Sequence, residues 1–102
     1  MASNIEINKK LDGSKLTVSV SGRIDTTTAP LLETELKTSL NDVTDLVFDL
    51  EGLEYISSAG LRVLLSAQKV MNKQGTMVIH NANEEVYDVF DVTGFVDILT
   101  IE

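Results

Sequence analysis

Hydrophobic and polar residues alternate in the first quarter of the chain, a period of two that is typical of β-strands. The alternation is weak from Asn4 to Lys9 and clear over residues 16–21, where Leu16, Val18 and Val20 are separated by threonine and serine. Asp12-Gly13 lies between the two segments and is a typical hairpin turn. The sequence therefore predicts an antiparallel hairpin whose first strand is an edge strand and whose second strand ends at residues 22–25.

The spacing changes to four residues in the next segment. Leu32, Leu36 and Leu40 recur with charged residues between them, which predicts an amphipathic helix that buries its leucines. The three threonines at positions 26–28 are expected to cap this helix, and Pro30 is acceptable only in its first turn. Residues 41–42 should end it.

Two further helices are predicted downstream. One should run from about Ser58 to Lys73, and another should begin after Asn81 or Asn83 and stop at Gly94. The side chains expected to face the core are Leu61, Leu64, Leu65 and Met71 in the second helix and Val86, Val89 and Phe90 in the third.

Short apolar segments at residues 45–50, 76–80 and 95–101 predict three more strands, with residues 51–57 as a loop. Because strands separated by helices run parallel, the predicted fold is an α/β domain with a mixed five-stranded sheet. An N-terminal antiparallel hairpin is followed by parallel strands, and the helices pack on one face. Residues 1–102 are expected to form a single domain.

Composition and charge narrow the possible functions. The 102 residues carry a formal net charge of −8 and contain no cysteine, which fits a reducing compartment. The negative charge disfavours nucleic-acid binding. It would attract a basic protein partner, but on charge alone a contribution to solubility is the favoured interpretation. Residues 1–6 do not resemble a signal peptide, and no apolar run approaches the length of a membrane span. We therefore expect a soluble cytoplasmic protein without a membrane partner.

Catalytic chemistry has little support in the sequence. His80 is the only histidine, and the order of elements gives no reason for it to reach a serine. Asp25 ends one predicted strand and Asp49 lies on the next, so the two could share one edge of the sheet as a metal or phosphate-handling site. Loop and cap roles are the favoured interpretation. There is no phosphate-binding glycine motif. We expect no catalytic residue, no metal and no cofactor.

The serine pair at the predicted start of the second helix is the strongest candidate. Ser57 and Ser58 follow Tyr55-Ile56 and precede Ala59-Gly60. Either hydroxyl could cap the helix, and either could accept a phosphoryl group. Gly60 weakens a first helical turn, which indicates either that another backbone approaches closely there or that the residue relieves crowding against the sheet.

Over nearly its whole length the chain resembles a STAS domain, specifically a stand-alone bacterial anti-sigma factor antagonist. The segments that carry the resemblance are Gly22-Arg23-Ile24-Asp25, Leu46-Val47-Phe48-Asp49-Leu50, Tyr55-Ile56-Ser57-Ser58-Ala59-Gly60-Leu61 and the stretch from Val86 to Phe95.

The resemblance implies a binding domain that cycles between two states. Unphosphorylated members bind an anti-sigma factor that is also a serine kinase with a histidine-kinase-like ATPase fold, which frees the sigma factor. The kinase phosphorylates a serine at the start of the second helix and so ends the binding. A metal-dependent serine phosphatase resets the cycle.

The family motif Asp-Ser-[Ser/Thr]-Gly aligns through Gly60 and implies phosphorylation of Ser58, with Ser57 as a rival acceptor. Ser57 stands where the family usually has aspartate, and Ala59 where it has serine or threonine. Asp25 matches a family aspartate near the phosphorylation site. The partner surface is expected to comprise Asp25, Thr26, Thr27, Thr28, Ile56, Ser57, Ser58, Ala59, Gly60, Leu61 and Arg62.

Two other interpretations remain open at this point. The domain could be a constitutive scaffold or sensor partner whose serines only cap the helix. Ser57 favours this interpretation, because it replaces the aspartate that the family usually has at this position. A small hydrolase that uses Ser58 is a weaker alternative.

Overall fold

The computed structural model describes residues 5–102, which form one sheet covered by helices. Asn4, the predicted start of the first strand, lies outside this range. In chain order the elements are β1 (Ile5–Asp12), β2 (Lys15–Ile24), α1 (Ala29–Ser39), β3 (Asp45–Asp49), β4 (Leu53–Ile56), α2 (Ser58–Gln74), β5 (Thr76–His80), α3 (Glu84–Val92) and a short 3-10 helix (Phe95–Asp97).

The sheet has the order β1-β2-β3-β5, with β4 also paired to β2. β1 and β2 are antiparallel, and every other pairing is parallel. The predicted mixed five-stranded α/β fold is confirmed. The predicted second helix is confirmed from its first residue, Ser58, to within one residue of its end.

One face of the sheet forms the core. Val18 on β2, Phe48 on β3 and Ile79 on β5 lie side by side in register and are fully buried. Leu32 and Leu36 of α1 are buried as predicted, and α2 packs against α1, β4 and β5. On α2 the predicted core residues Leu61, Leu64 and Met71 are buried, whereas Leu65 is half-buried.

β4 was not predicted, because this segment was expected to be a loop. β1 occupies one edge of β2 along its length, so β3 and β4 share the other edge, at residues 15–19 and 22–24 respectively. β4 therefore continues the line of β3 after a turn. Leu53 and Ile56 are both buried although they are three residues apart. A register shift beside Gly22 leaves Glu54 as the extra residue of a bulge, which breaks the alternation that would have indicated a strand.

The predicted last strand over residues 95–101 is wrong. After Gly94, whose φ is +80°, the chain forms the 3-10 helix, and Leu99 N–H donates to Phe95 O at 2.8 Å. Only Ile101 pairs with the sheet, through a single bridge to Ile79. Within this segment Leu99 is buried in the core by the tight turn, Phe95, Val96 and Ile101 pack partly against it, and Ile98 is exposed.

Asn83 joins the start of α3 to β4. Its side-chain oxygen accepts a hydrogen bond from Val86 N–H at 2.8 Å, and its amide nitrogen donates to Leu53 O at 2.8 Å. Of the two asparagines considered as caps, Asn83 holds the position, while Asn81 donates to Asp49. α3 is thereby fixed to the short strand that leads into α2.

Candidate functional site

The ends of β2 and β4 bring two loops together at one edge of the sheet. Ile24 and Ile56 are paired in register, and Ser57 N–H donates to Ile24 O at 2.8 Å. Residues 25–28, which follow β2, therefore lie beside residues 56–62, which end β4 and begin α2. We call these two segments together the rim.

Ser57 is the N-cap of α2. It has an extended backbone, and its hydroxyl oxygen accepts a hydrogen bond from Gly60 N–H at 3.4 Å. Its side chain is half-buried. Ser57 thus satisfies one of the unpaired backbone donors that every helix start presents.

Ser58 occupies the first helical position and is exposed. Its hydroxyl makes no hydrogen bond to any residue in the range 5–102. A group attached to this oxygen would extend into solvent without breaking a contact among those residues. The structure thus separates the two serines: Ser57 caps the helix, whereas the Ser58 hydroxyl has no hydrogen-bond partner within residues 5–102.

Asp25 organises the loop that precedes α1. One carboxylate oxygen accepts hydrogen bonds from the Thr27 hydroxyl at 2.6 Å and from the N–H groups of Thr27 and Thr28 at 2.9 and 3.0 Å. Thr28 is the N-cap residue, but its buried hydroxyl donates to Arg23 O and accepts from Asp25 N–H, and it makes no capping bond. The prediction that the threonine side chains cap α1 is therefore wrong, because the first helical N–H group, of Ala29, donates to the backbone carbonyl of Asp25 at 2.8 Å, and the Asp25 carboxylate orders the loop before the helix.

These hydrogen bonds hold the pKa of Asp25 below its ordinary value, with the Thr27 hydroxyl as the largest cause. A carboxyl whose pKa is lower in the folded state stabilises the fold above its unfolded pKa, and this contribution is lost as the pH falls through the folded pKa. We expect Asp25→Asn to be less stable than the wild type at pH 7, with the difference shrinking below about pH 4. Urea unfolding of both proteins at pH 7 and below about pH 4 tests this. A difference in unfolding free energy that stays the same at the two pH values would contradict it.

Gly60 lies in the first turn of α2, directly above the paired strand ends. A Cβ at this position would stand 2.6 Å from Ile24 Cγ2 and 2.7 Å from Ile56 Cγ1. Of the two explanations for this glycine, crowding against the sheet is the one that the geometry supports.

Gly60→Ala should therefore destabilise the fold. An alanine at an uncrowded helical position would gain up to about 1 kcal/mol over glycine. Here we expect a net loss of about 1–2 kcal/mol, because overpacking a tight core contact costs more than helix propensity returns. Urea denaturation measures the change, and a variant as stable as the wild type would show that the two isoleucines can move aside.

The remaining predicted surface residues fall into two groups. Thr26, Thr27 and Arg62 are exposed, and Ala59 is half-buried. The side chains of Thr28, Ile56 and Leu61 are buried, as is Gly60, so these residues shape the rim from beneath.

Asp25 and Asp49 do not form a common site. Asp49 pairs with Ser19 on β2, six residues before Asp25, which corresponds to about 20 Å along the strand. Asp49 accepts hydrogen bonds from Glu51 N–H and the Asn81 amide, the loop role that was favoured. Within residues 5–102, no cluster of three or more acidic or histidine side chains is arranged to hold a metal ion. His80 lies 3.0 Å from Glu102.

Sequence reasoning missed one pair beside the rim. The Arg23 guanidinium lies 4.4 Å from the centre of the Tyr55 ring, one residue before Ile24 and Ile56 on the paired strands. The pair contributes a cation–π contact on the exposed side of the sheet. It depends on the register of β4, and no sequence pattern indicated that register.

Comparisons with known proteins agree with this architecture. A family model for the STAS domain matches residues 4–102. The anti-sigma-B factor antagonist of Bacillus subtilis is 32% identical over 96% of this chain and 91% of its own length. The crystal structure of an anti-sigma factor antagonist from Mycobacterium paratuberculosis has a TM-score of 0.84 at 26% identity and covers 95% of this chain and 84% of its own.

The Bacillus protein SpoIIAA has been solved in an unphosphorylated and a phosphorylated form, with TM-scores of 0.75 and 0.74 against this chain. Each match covers 95% of this chain. It covers 87% of the unphosphorylated SpoIIAA chain and 91% of the phosphorylated one. At 14% and 15% identity this likeness supports the fold alone. In the part of the chain that the structure describes, no helix has the length and apolar character needed to cross a membrane.

Proposed function

Because the chain belongs to the STAS domain family, we propose that it is an anti-sigma factor antagonist whose binding is switched by phosphorylation of Ser58. With Ser58 unmodified, the rim binds an anti-sigma factor that is also a serine kinase with a histidine-kinase-like ATPase fold. Phosphorylation ends the binding, and a metal-dependent serine phosphatase restores it. The protein acts by binding, in the cytoplasm, and is not itself an enzyme.

The observation that carries the proposal is the exposed Ser58 hydroxyl at the first position of α2, free of hydrogen bonds to residues 5–102. A kinase can reach this oxygen without unfolding the helix. Ser57 is less accessible, since its side chain is half-buried and caps α2. The difference between the two side chains supports Ser58 as the acceptor.

The position also explains how phosphorylation can act without a change of fold. A phosphoserine carries about −1.5 to −2 charges at pH 7. The start of a helix tolerates negative charge, because its free N–H groups and dipole favour anions. A docked partner with an acidic group nearby would be repelled, while the core beneath Ser58 stays packed.

Phosphate mapping tests the proposal. The purified chain is incubated with its cognate anti-sigma factor kinase and ATP, and the modified residue is located by mass spectrometry. We expect one phosphate on Ser58 in the wild type and in Ser57→Ala, and none in Ser58→Ala. Phosphate at another residue, or no phosphate on the wild type, would contradict the switch.

A constitutive scaffold is the second candidate, and Ser57 is the observation that favours it. Serine there caps the helix through an ordinary hydroxyl, where the resemblance leads one to expect an acid. In that case the kinase would leave Ser58 unmodified, and the partner would bind the Ser58→Ala and Ser58→Asp variants equally well.

A further inference from the structure

Arg62 lies one helical turn after Ser58 on the exposed side of α2. Side chains four residues apart on a helix are neighbours, with Cβ atoms about 5–6 Å apart. Arg62 forms no ion pair or hydrogen bond with any residue between 5 and 102, where the ion pairs are Lys9–Glu35 and His80–Glu102. Its guanidinium is therefore available to a group attached to Ser58.

The other charges near the start of α2 leave Arg62 as the cation suited to this role. Arg23 is held over the Tyr55 ring. Lys37 lies on α1, beside the groove that reaches Val63 and the later turns of α2. Among the charged side chains of the neighbouring elements, Arg23 and Asp25 belong to β2 and its loop and Glu54 to β4. Glu33, Glu35 and Lys37 belong to α1, where Glu35 pairs with Lys9.

We propose that Arg62 binds the phosphate of phosphorylated Ser58 along the exposed face of α2. The inference rests on the proposed modification of Ser58. The planar guanidinium can donate two parallel N–H bonds to phosphate oxygens, the arrangement for which arginine is best suited. The pairing also withdraws the Arg62 cation from a partner that would contact the unmodified rim.

Phosphorus NMR on the chain carrying phosphoserine at position 58, introduced during translation, tests the pairing without a kinase or partner. The second pKa of a phosphoserine lies near 6. We expect Arg62→Gln to raise this phosphate pKa by about 0.3–0.6 pH units, because the Arg62 guanidinium favours the dianionic phosphate and glutamine does not. The carboxylates of Asp25 and Glu54 are present with Arg62 and with Arg62→Gln alike, so they do not contribute to the difference in phosphate pKa between the two proteins. Lys69→Gln is the matched control, since Lys69 is exposed on the same helix about 16 Å further along.

A second reading comes from the Arg62 side-chain N–H signal, which should shift on phosphorylation of the wild type. A phosphate pKa that Arg62→Gln moves no further than Lys69→Gln does would overturn the pairing, as would an unchanged Arg62 signal. If the pairing is observed but partner binding ignores the phosphate, the proposed function fails and this inference stands.

Discussion

Ser58→Asp is expected to weaken binding to the anti-sigma factor kinase by about 10- to 100-fold. Two unit charges about 6 Å apart at an effective dielectric of about 20 repel by about 2–3 kcal/mol before salt screening. Every 1.4 kcal/mol or so is a factor of about ten in affinity. An acidic group of the partner opposite the rim would exert this repulsion. Isothermal titration calorimetry at two salt concentrations measures the effect, which should shrink as salt increases.

Two controls separate this effect from loss of the hydroxyl and from a change in net charge. Ser58→Ala should bind within about threefold of the wild type, because the hydroxyl makes no hydrogen bond to residues 5–102. Ser66→Asp adds the same charge at an exposed position of α2 about 12 Å further along, and should change binding little. Equal affinity for Ser58→Asp and the wild type would show that the rim does not sense charge there.

Gly75→Ala should destabilise the fold by about 3 kcal/mol or more, the largest stability effect that we expect. A Cβ at Gly75 would stand 1.8 Å from Thr44 O, which is backbone and cannot rotate away. That oxygen accepts a hydrogen bond from Thr76 N–H at 2.9 Å, where β5 begins beside β3. Relieving the clash requires these strands to separate at their start, which costs more than ordinary overpacking.

Gly13→Ala is the matched comparison. Gly13 has a φ of +63° in the β1–β2 turn, but apart from its own chain neighbours no atom of residues 5–102 lies within 4 Å of an added Cβ. An alanine there meets only backbone strain, about 1–2 kcal/mol. Urea unfolding of both variants should show the larger loss for Gly75→Ala. A loss no larger than that of Gly13→Ala would mean that the end of α2 can shift to make room.

The sequence predicted the elements whose periodicity is undisturbed. The alternation in β2 and the leucine spacing in α1 each reflect one buried face, and both elements were found where they were expected. β4 was not predicted because Leu53 and Ile56 face the core at a spacing of three residues, whereas a regular strand has a spacing of two. The bulge at Glu54 makes this spacing possible. Register shifts of this kind depend on the partner strand and leave no local pattern.

The candidate site shows the same division. That a hydroxyl lies at the start of α2 follows from the sequence, because a serine precedes an apolar helical pattern. Which serine caps the helix and which is free depends on the backbone of β4, whose last residue pairs with Ile24. The role of Asp25 in ordering its loop could not be predicted either. Residues 25–28 are all polar, and the sequence does not determine which of them accepts the loop's N–H groups.

The central claim is that charge on the Ser58 oxygen controls docking while the fold stays unchanged. The most direct measurement compares the affinity of the anti-sigma factor kinase for the chain with serine and with phosphoserine at position 58, alongside amide NMR spectra of both forms. The account predicts at least a tenfold loss of affinity, with spectral changes confined to the rim and the first turns of α2. Equal affinities, or shifts spread through the core strands, would contradict it.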